Sequence, residues 1–332
     1  MINKITVSIC CITYNHENYI ADAIESFLMQ KTNFPIEILI HDDASTDNTA
    51  KIIRNYEKKH PEIIKPIYQK ENQYSKGVRS INKFNFSRAQ GKYIALCEGD
   101  DYWTDPLKLQ KQVDFLEANP EYSLVHTDID KLYDKTNKII KSYYKRNGVI
   151  HKDNPTVCDI IEGKYVITTC SVMFKKEVSN SFLSDSNYLT FNSGDYSLFC
   201  EAANYGKIGF INESTTVRRV QGNSVSQSND YHKRKKFIDG SKVTGLYISR
   251  KFNCDDSKII LKTEKYRARL FFEFNKPKQL KVPLQKIKKL NKNLTKSEKF
   301  FWLASKSGIF FILLKSIYLL MQKYYLYKLK NK

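Results

Sequence analysis

The residues best suited to chemistry follow a short apolar run at 93–97. They are Glu98, Asp100 and Asp101, in the stretch EGDD. Adjacent carboxylates repel one another, so we expect this stretch to face a positive charge. Divalent cations prefer oxygen ligands, and a cation that also binds a phosphorylated ligand would remove the repulsion. The stretch therefore predicts a metal site that holds a phosphorylated ligand.

A helix start explains another acidic residue nearby. Thr104-Asp105-Pro106 has the composition of a helix N-terminus, with proline at the first helical position and a carboxylate where it is favourable. This alternative fits Asp105. It does not fit Asp100 and Asp101, because they precede the predicted helix and directly follow the predicted strand.

Strand and helix patterns alternate over the first part of the chain. Continuous apolar runs are typical of strands buried on both faces, and apolar residues at helical spacing are typical of amphipathic helices. The patterns predict strands at 5–12, 36–40, 93–97 and 123–126, and helices at 20–28, 48–59 and 106–118. Repeated βα units indicate an α/β fold, with a mostly parallel sheet and flanking helices.

Polar residues follow three of these strands. They are Thr13-Tyr14-Asn15, Asp42-Asp43 and the EGDD stretch. Ligands bind parallel sheets outside the carboxyl ends of the strands, so we expect the three loops to converge at one edge. Further along, the patterns predict a strand at 166–174, a helix at 195–204 and a strand at 207–211.

Three motifs give the sequence a resemblance to a known family. VSICCITYNHENYIADAIESFLMQ, ILIHDDASTDNT and GKYIALCEGDDYWTDPLKL have the order and spacing seen in family 2 glycosyltransferases, and the resemblance covers roughly residues 5–225. It implies a Rossmann-like GT-A fold and a metal-dependent, inverting enzyme. Such an enzyme would move a sugar from a nucleotide-diphosphate donor, by default a UDP-sugar, to a hydroxyl of a lipid-linked or surface-glycan acceptor.

The resemblance also implies roles for single residues. Thr13 and Tyr14 would contact the base and ribose, although Tyr14 could instead pack in the core. Asp43 would hydrogen-bond the base. Asp101 would bind Mg²⁺ or Mn²⁺ that bridges the donor diphosphate, and Asp100 would contact ribose or the sugar.

Other residues of these motifs have supporting roles. Gly99 would let the backbone approach the ligand, Asp42 would shape its loop, and Asp47 would cap the following helix. Two interpretations of Tyr102 and Trp103 stay open. They form either a platform for the donor sugar or acceptor, or part of the packed core.

Inverting transfer needs a general base that deprotonates the acceptor hydroxyl. In the family this base is an Asp or Glu at a helix start in the second half, usually preceded by another acidic residue. Ser193-Gly194-Asp195-Tyr196 is the matching stretch, with Gly194 in place of the acidic residue. We predict Asp195 as the base, and a helix N-cap is the alternative.

A second departure from the family lies at 217–224, which resembles its Arg-x-His segment. Gln221 stands where the histidine would be. An amide is a weaker metal ligand than an imidazole, so a third metal ligand is left open. Arg219, or Arg218, would neutralise the diphosphate.

Positive charge is concentrated in the last third of the chain. Residues 232–332 hold 27 Lys and Arg against 6 Asp and Glu, whereas the rest holds 28 against 29. This asymmetry suggests an anionic partner. The apolar segment 299–327, interrupted by lysines, fits a helix lying in the membrane interface, with a packed core helix as the alternative. We predict a GT-A domain over 1–230 and a basic helical region over 231–332.

Cysteine usage and two rival functions complete the interpretation. Seven cysteines without regular spacing indicate a reducing, cytoplasmic compartment, and the basic region adds peripheral association with the inner face of the cell membrane. A nucleotidyltransferase would need a glycine-rich loop with Lys or Arg after the first strand, where TYNH stands instead. A nucleic-acid binder would fit the aromatics among lysines, but the adjoining apolar segment favours anionic lipid.

Overall fold

A computed structural model describes residues 4–78, 82–149, 151–191, 194–221, 228–291 and 295–330, with the backbone alone for 322–330. The chain divides into two compact units. The first contains Met1–Tyr133 and Ile139–Val220, and the second contains Asp134–Lys138 and Gln221–Lys332. The first unit carries the predicted chemistry, and the second carries the basic region.

The first unit is built on one sheet. Its strands, within the described residues, are β1 (Val7–Thr13), β2 (Ile36–Asp42), β3 (Ile64–Tyr68), β4 (Tyr93–Leu96), β5 (Tyr102–Trp103), β6 (Tyr122–Tyr133), β7 (Lys138–Ile140), β8 (Met173–Lys175) and β9 (Lys207–Val220). Their order is β3-β2-β1-β4-β8-β6-β9-β5, with β7 beside β6. The pairs β3–β2, β2–β1, β1–β4 and β6–β9 are parallel, and β4–β8, β8–β6 and β9–β5 are antiparallel.

Helices flank this sheet. In the described part of the first unit they are α1 (Ile20–Leu28), α2 (Thr49–Lys59), α3 (Lys83–Phe86), α4 (Lys108–Ala118), α5 (Tyr143–Arg146), α6 (Val157–Glu162), α7 (Lys176–Ser184) and α8 (Gly194–Tyr205), with 3₁₀ turns at Thr169–Ser171 and Ser186–Leu189. The predicted α/β fold, a mostly parallel sheet with flanking helices, is therefore confirmed.

The central strands form because most of their residues are apolar, and the buried Ser8 of β1 and Glu37 of β2 are paired by a hydrogen bond from Oγ of Ser8 at 2.6 Å. Val7 and Ile9 of β1 and Ile38 of β2 are fully buried, and Ile20 and Phe27 of α1 cover them. Each such side chain stabilises the fold by about 1.5–3 kcal/mol relative to exposure. The apolar runs therefore fix these strands at the centre, and their polar ends emerge together at one edge.

Several predicted elements differ from the structure: the strands predicted at 123–126 and 207–211 extend to Tyr133 and Val220, and two further elements differ in kind or in start. The segment predicted as one strand at 166–174 contains a 3₁₀ turn before β8, closed by the N–H of Ser171 on the carbonyl of Thr168 at 3.0 Å. The helix predicted from Pro106 begins at Lys108. Asp105 accepts the N–H of Leu107 at 2.9 Å, which holds a turn before the helix.

The second unit is helical, as predicted for the basic region. Its helices in the described residues are α9 (Tyr231–Lys251), α10 (Asp256–Glu273), α11 (Pro277–Leu290), α12 (Lys296–Ala304) and α13 (Gly308–Lys330). Phe272 of α10 is the centre of its core, with Leu280, Leu284 and Ile287 of α11 packed in the same cluster.

The apolar segment 299–327 falls in α12 and α13, and the side chains of 322–327 lie outside the description. Phe311 and Tyr318 pack edge-on against Phe272, with ring centroids 5.3 and 5.4 Å from it. Nζ of Lys315 donates to the carbonyl oxygens of Phe272 and Glu273 at 2.9 and 2.7 Å. One side of α13 therefore belongs to the core of this unit.

The other side of α13 is exposed and apolar. Ile309, Ile312, Leu320 and Met321 are 81%, 68%, 65% and 64% exposed. The interpretation as a packed core helix therefore fits one side of α13, and the interpretation as a membrane-interface helix stays a prediction for the other side. In the part of the chain that the structure describes, no helix has the length and apolar character needed to cross a bilayer.

Candidate active site

Three loops meet at the carboxyl edge of the parallel strands. Thr13, the last residue of β1, is in register with Asp42, the last residue of β2. The N–H of Asp43 donates to the carbonyl of Thr13 at 3.0 Å, and the N–H of Gly99 donates to the carbonyl of Ile12 at 2.9 Å. The predicted convergence of these loops is therefore confirmed.

Gly99 is required by packing between these loops. A Cβ atom on Gly99 would lie 2.7 Å from Oγ1 of Thr13 and 3.0 Å from Cδ1 of Ile20. Thr13 is 4% exposed, whereas Tyr14 is 43% exposed. Thr13 thus forms the floor of the site and Tyr14 presents its ring to solvent, so the alternative that Tyr14 packs in the core is wrong.

Polar side chains tie the first two loops together. The N–H of Asn15 donates to Oγ of Ser45 at 2.9 Å, and Oδ1 of Asn15 accepts the N–H of Thr46 at 2.8 Å. Asp42 accepts both the N–H and the hydroxyl of Ser45, and burial raises the pKa of Asp42. Asp42 therefore shapes its loop, as predicted.

Two further aspartates bind backbone N–H groups. Asp43 is 4% exposed, and its two carboxylate oxygens accept the N–H groups of Gln73 and Tyr74 at 2.8 and 3.1 Å. The N-cap of α2 is Asn48, so Asp47 is not the N-cap residue, but it accepts the N–H of Thr49, the first residue of α2, at 2.9 Å. Each oxygen of Asp43 keeps a second lone pair, so this carboxylate both holds its loop and can accept from a ligand.

The EGDD stretch forms an acidic cluster between β4 and β5, in which Asp101 is buried and Glu98 and Asp100 are half-buried. Asp101 is 6% exposed, and its Oδ1 accepts the N–H of Arg219 at 2.8 Å. Burial and then the charge of Asp100 raise the pKa of Asp101. Burial, followed by the charges of Asp101 and Asp100, raises the pKa of Glu98. The cluster therefore disfavours the charged forms of Glu98 and Asp101.

These carboxylates fit a divalent cation. They offer oxygen ligands only, and Oε2 of Glu98 is buried without a hydrogen-bond partner within the described structure. Across the described residues, no group of three or more His, Cys, Asp or Glu side chains is already arranged around a metal position. Mg²⁺ is usually held by one or two carboxylates and by substrate phosphates, so Asp101 with its neighbours could hold such a metal once a phosphorylated ligand completes the site.

Arg219 is fastened to the protein rather than directed into open space. Its side chain is 7% exposed and forms an ion pair with Asp22 of α1. Nη1 donates to the carbonyl of Asp100 at 2.8 Å. The guanidinium also lies 5.0 Å from the ring centroid of Tyr19 and 4.6 Å from that of Tyr102. Arg219 therefore holds the acidic loop in place.

Asp195 lies in the first turn of α8 and is exposed. Its Oδ1 accepts the N–H of Tyr196 at 2.8 Å. The charge of Asp195 is a further and smaller cause of the raised pKa of Glu98, after burial and the charges of Asp101 and Asp100. Helix α8 begins at Gly194, so Asp195 is within the helix and not at its N-cap. Ser193 lies outside the described residues.

The segment that departs from the family is described only in part. Arg218 is exposed near the end of β9, and Gln221 follows that strand, half-buried. Residues 222–224 lie outside the described residues. A role for Gln221 in place of the histidine therefore stays a prediction.

Trp103 is part of the core. It is 1% exposed, its ring centroid lies 4.9 Å from that of Phe27, and its Nε1 donates to the carbonyl of Cys170 at 2.9 Å. The platform interpretation is therefore wrong for Trp103. Nζ of Lys108 lies 4.4 Å from the same ring and donates to Gln112 at 2.6 Å.

Sequence reasoning singled out Glu98 but not the burial of its oxygen, and it missed Asp22 and Lys131, which lie near the site. Oε2 of Glu98 is buried without a hydrogen-bond partner in the described structure, and burial of this kind is not visible in the sequence. The ion pair of Asp22 with Arg219 joins α1 to β9. Lys131 lies beside Arg218 because β6 and β9 are parallel neighbours. Asp22 is one of two acidic residues on α1, with Glu25, so no local signal distinguished it, and none marked Lys131.

Solved structures identify the class of fold. TarS of S. aureus in complex with UDP-GlcNAc superposes with a TM-score of 0.62 at 15% identity, over 95% of this chain and 91% of that one. The mannosyltransferase PcManGT of Pyrobaculum calidifontis, in complex with GDP-Man and Mn²⁺, has a TM-score of 0.50 at 12% identity, over 95% and 86%. The fold is that of the GT-A glycosyltransferases.

Residues 8–179, more than half of the chain, match the family described as Glycosyl transferase family 2. The protein therefore belongs to glycosyl transferase family 2. An uncharacterized protein of Mycobacterium tuberculosis is 35% identical over 234 residues, which are 70% of this chain and 63% of that relative. The match thus spans less than two thirds of the relative's length. The E. coli UDP-Glc:alpha-D-GlcNAc-diphosphoundecaprenol beta-1,3-glucosyltransferase WfaP is 29% identical over 66% of this chain and 79% of its own.

Proposed function

We propose that this protein transfers a sugar, with inversion, from a nucleotide-diphosphate donor to a hydroxyl of a lipid-linked or surface-glycan acceptor. The observation that carries the proposal is the acidic cluster at the end of β4, where Asp101 and its neighbours favour a cation. Family membership supports sugar transfer. The UDP-GlcNAc bound to TarS and the UDP-Glc and lipid diphosphate in the name of WfaP support a UDP-sugar and a lipid-linked acceptor.

In this proposal the donor lies across the three loops. Asp101 holds Mg²⁺ or Mn²⁺, Asp100 contacts ribose or the sugar, and Tyr14 and Asp43 contact the base and ribose. Thr13 supports the donor from beneath. When bound, the metal offsets the negative charge that develops on the leaving diphosphate.

The acceptor hydroxyl needs a base on the opposite side of the sugar from the leaving group. Asp195 is exposed, at the start of α8, and electrostatically close to the acidic cluster. A carboxylate at this place can act as the general base that takes the hydroxyl proton. Arg219 acts on the donor through the acidic loop that it holds.

Thermal denaturation with a panel of nucleotides tests the donor site. A ligand that binds only the folded protein raises its melting temperature. We expect UDP to raise it with Mn²⁺ and to raise it less without, and Asp101→Asn to abolish the effect of the metal. A larger effect of UTP than of UDP would favour the rival nucleotidyltransferase. No effect of any nucleotide would overturn the proposal.

We further propose that the second unit binds the anionic inner face of the cell membrane. Its exposed apolar residues on α13 would enter the interface, and its lysines would contribute about 1 kcal/mol each near an anionic surface. Flotation with vesicles of phosphatidylcholine and phosphatidylglycerol tests this. We expect salt-sensitive binding that Ile312→Ser with Leu320→Ser weakens, and preferential binding of DNA or RNA would contradict it.

A further inference from the structure

Two cations stand side by side on neighbouring strands of the first unit. Lys131 of β6 is in register with Arg218 of β9. Residues in register on neighbouring strands lie about 5 Å apart. Within the described chain, no carboxylate lies within ion-pair distance of either side chain. Like charges in register on adjacent strands destabilise a sheet, so a bound anion would stabilise this pair.

Lys131 is held in place. Its Nζ lies 3.5 Å from the ring centroid of Tyr143 in α5, close enough for a cation–π contact. Partial burial, followed by the charge of Arg218, lowers the pKa of Lys131 to about 8. A bound anion would relieve both effects, because it offsets the charge that burial and Arg218 disfavour.

The pair lies beside the acidic cluster. Tyr102 of β5 is in register with Val217 of β9, so Asp101 comes alongside Arg218. Arg218 is within electrostatic reach of Asp101. The order across the three strands is therefore one carboxylate and then two cations. A metal on Asp101 with a phosphate beyond it matches this order of charges.

Arg218 and Arg219 differ in how accessible their guanidinium groups are to a ligand. Arg219 is 7% exposed and already contacts Asp22 and the carbonyl of Asp100. Arg218 is exposed, and its guanidinium has donors suited to two phosphate oxygens. A ligand can therefore reach Arg218 without breaking the contacts that hold the acidic loop.

We infer that Lys131 and Arg218 form a phosphate subsite beside Asp101. The inference rests on the proposed function and names the groups that bind phosphate within it. The phosphate belongs either to the diphosphate of the donor or to a phosphate of a lipid-linked acceptor. Both sources present the same chemistry to an Arg–Lys pair, and titrations separate them.

The test uses the full-length variants Lys131→Gln and Arg218→Gln. Lys145→Gln is the matched control, because it removes one exposed cation from α5, the helix that also carries Tyr143. Calorimetry in Mn²⁺ measures the binding of UDP and of uridine. A second titration adds inorganic pyrophosphate to protein saturated with UDP, and a third adds it to protein without nucleotide.

If the subsite holds the donor diphosphate, each variant binds UDP at least about tenfold more weakly and uridine unchanged. If it holds an acceptor phosphate, UDP binding is unchanged, and pyrophosphate binds UDP-saturated wild-type protein but not the variants. Unchanged uridine binding shows that the variants are folded. The inference is overturned if both variants match Lys145→Gln in every titration.

Failure of the proposed function gives a different result. In that case the wild-type protein binds neither UDP nor uridine. The third titration still tests the subsite, because pyrophosphate without nucleotide would bind the wild-type protein and not the two variants.

Discussion

The backbone N–H of Arg219 donates to Oδ1 of Asp101 at 2.8 Å, and the guanidinium of the same residue donates to the carbonyl of Asp100 at the same distance. One residue of β9 thus fixes both the carboxylate that we assign to the metal and the backbone beside it. The ion pair with Asp22 extends this support to α1. Arg219 is therefore a positioning residue.

Arg219→Ala should weaken metal-dependent UDP binding although the side chain contacts no ligand. It leaves the carbonyl of Asp100 without its donor and removes the contacts with Tyr19 and Tyr102. We expect a loss of about 1–3 kcal/mol in the free energy of unfolding, measured in urea. Asp22→Asn should cost less, because Asp22 is 57% exposed and such pairs contribute about 1 kcal/mol or less. Equal losses for the two variants would contradict this assignment.

Gly99→Ala should destabilise the protein and abolish UDP binding. The new Cβ would lie 2.7 Å from Oγ1 of Thr13, so the first and third loops would have to separate. We expect a cost of about 1–3 kcal/mol from this overpacking, measured by urea denaturation. Gly308→Ala is the control, because no atom lies within 4 Å of its added Cβ. Normal UDP binding by Gly99→Ala would show that the loops yield easily.

Lys108 should make stability depend on pH. Burial lowers its pKa from 10.5 to about 7, so between these values the unfolded chain binds more protons than the folded protein. The free energy of unfolding therefore rises with pH across this window. Lys108→Met should remove up to about 1.4 kcal/mol per pH unit of that rise. Chemical denaturation from pH 7 to about pH 9 measures it, with exposed Lys31→Met as control, and equal slopes for both variants would contradict it.

Asp195→Asn should abolish sugar transfer and leave UDP binding intact. Asparagine keeps the shape of the side chain but cannot take the proton of the acceptor hydroxyl, and we expect a loss of about 10²–10⁴-fold in rate. UDP release from the donor measures transfer. Glu177→Gln, an exposed acid in the first turn of α7, is the control. Loss of UDP binding together with transfer would indicate a structural role for Asp195.

The part of the site that follows from apolar strands could be predicted from the sequence. Strands β1, β2 and β4 are predominantly apolar segments, so their polar ends and the meeting of Thr13, Asp43 and Gly99 could be predicted. Helix α8, with Asp195 in its first turn, followed from a similar local pattern. These features depend on neighbours in sequence or on the ordinary geometry of parallel strands.

Other features depend on contacts between distant segments. Arg219 reaches Asp22, 197 residues away in sequence, and no local pattern distinguishes that use from diphosphate binding. Trp103 looked suited to a sugar platform, but the carbonyl of Cys170 satisfies its indole N–H and makes full burial possible. The pairing of Lys131 with Arg218 required knowledge that β6 lies beside β9.

Lys315 has a consequence for the outer side of α13. In the sequence it is the one charge between Gly308 and Met321, and it divides that apolar stretch. In the structure its ammonium group is bound to the last carbonyls of α10. The solvent-facing side of 308–321 therefore carries no charged side chain. It forms an uncharged and largely apolar surface along almost four helical turns, longer than any uncharged run that the sequence displays there.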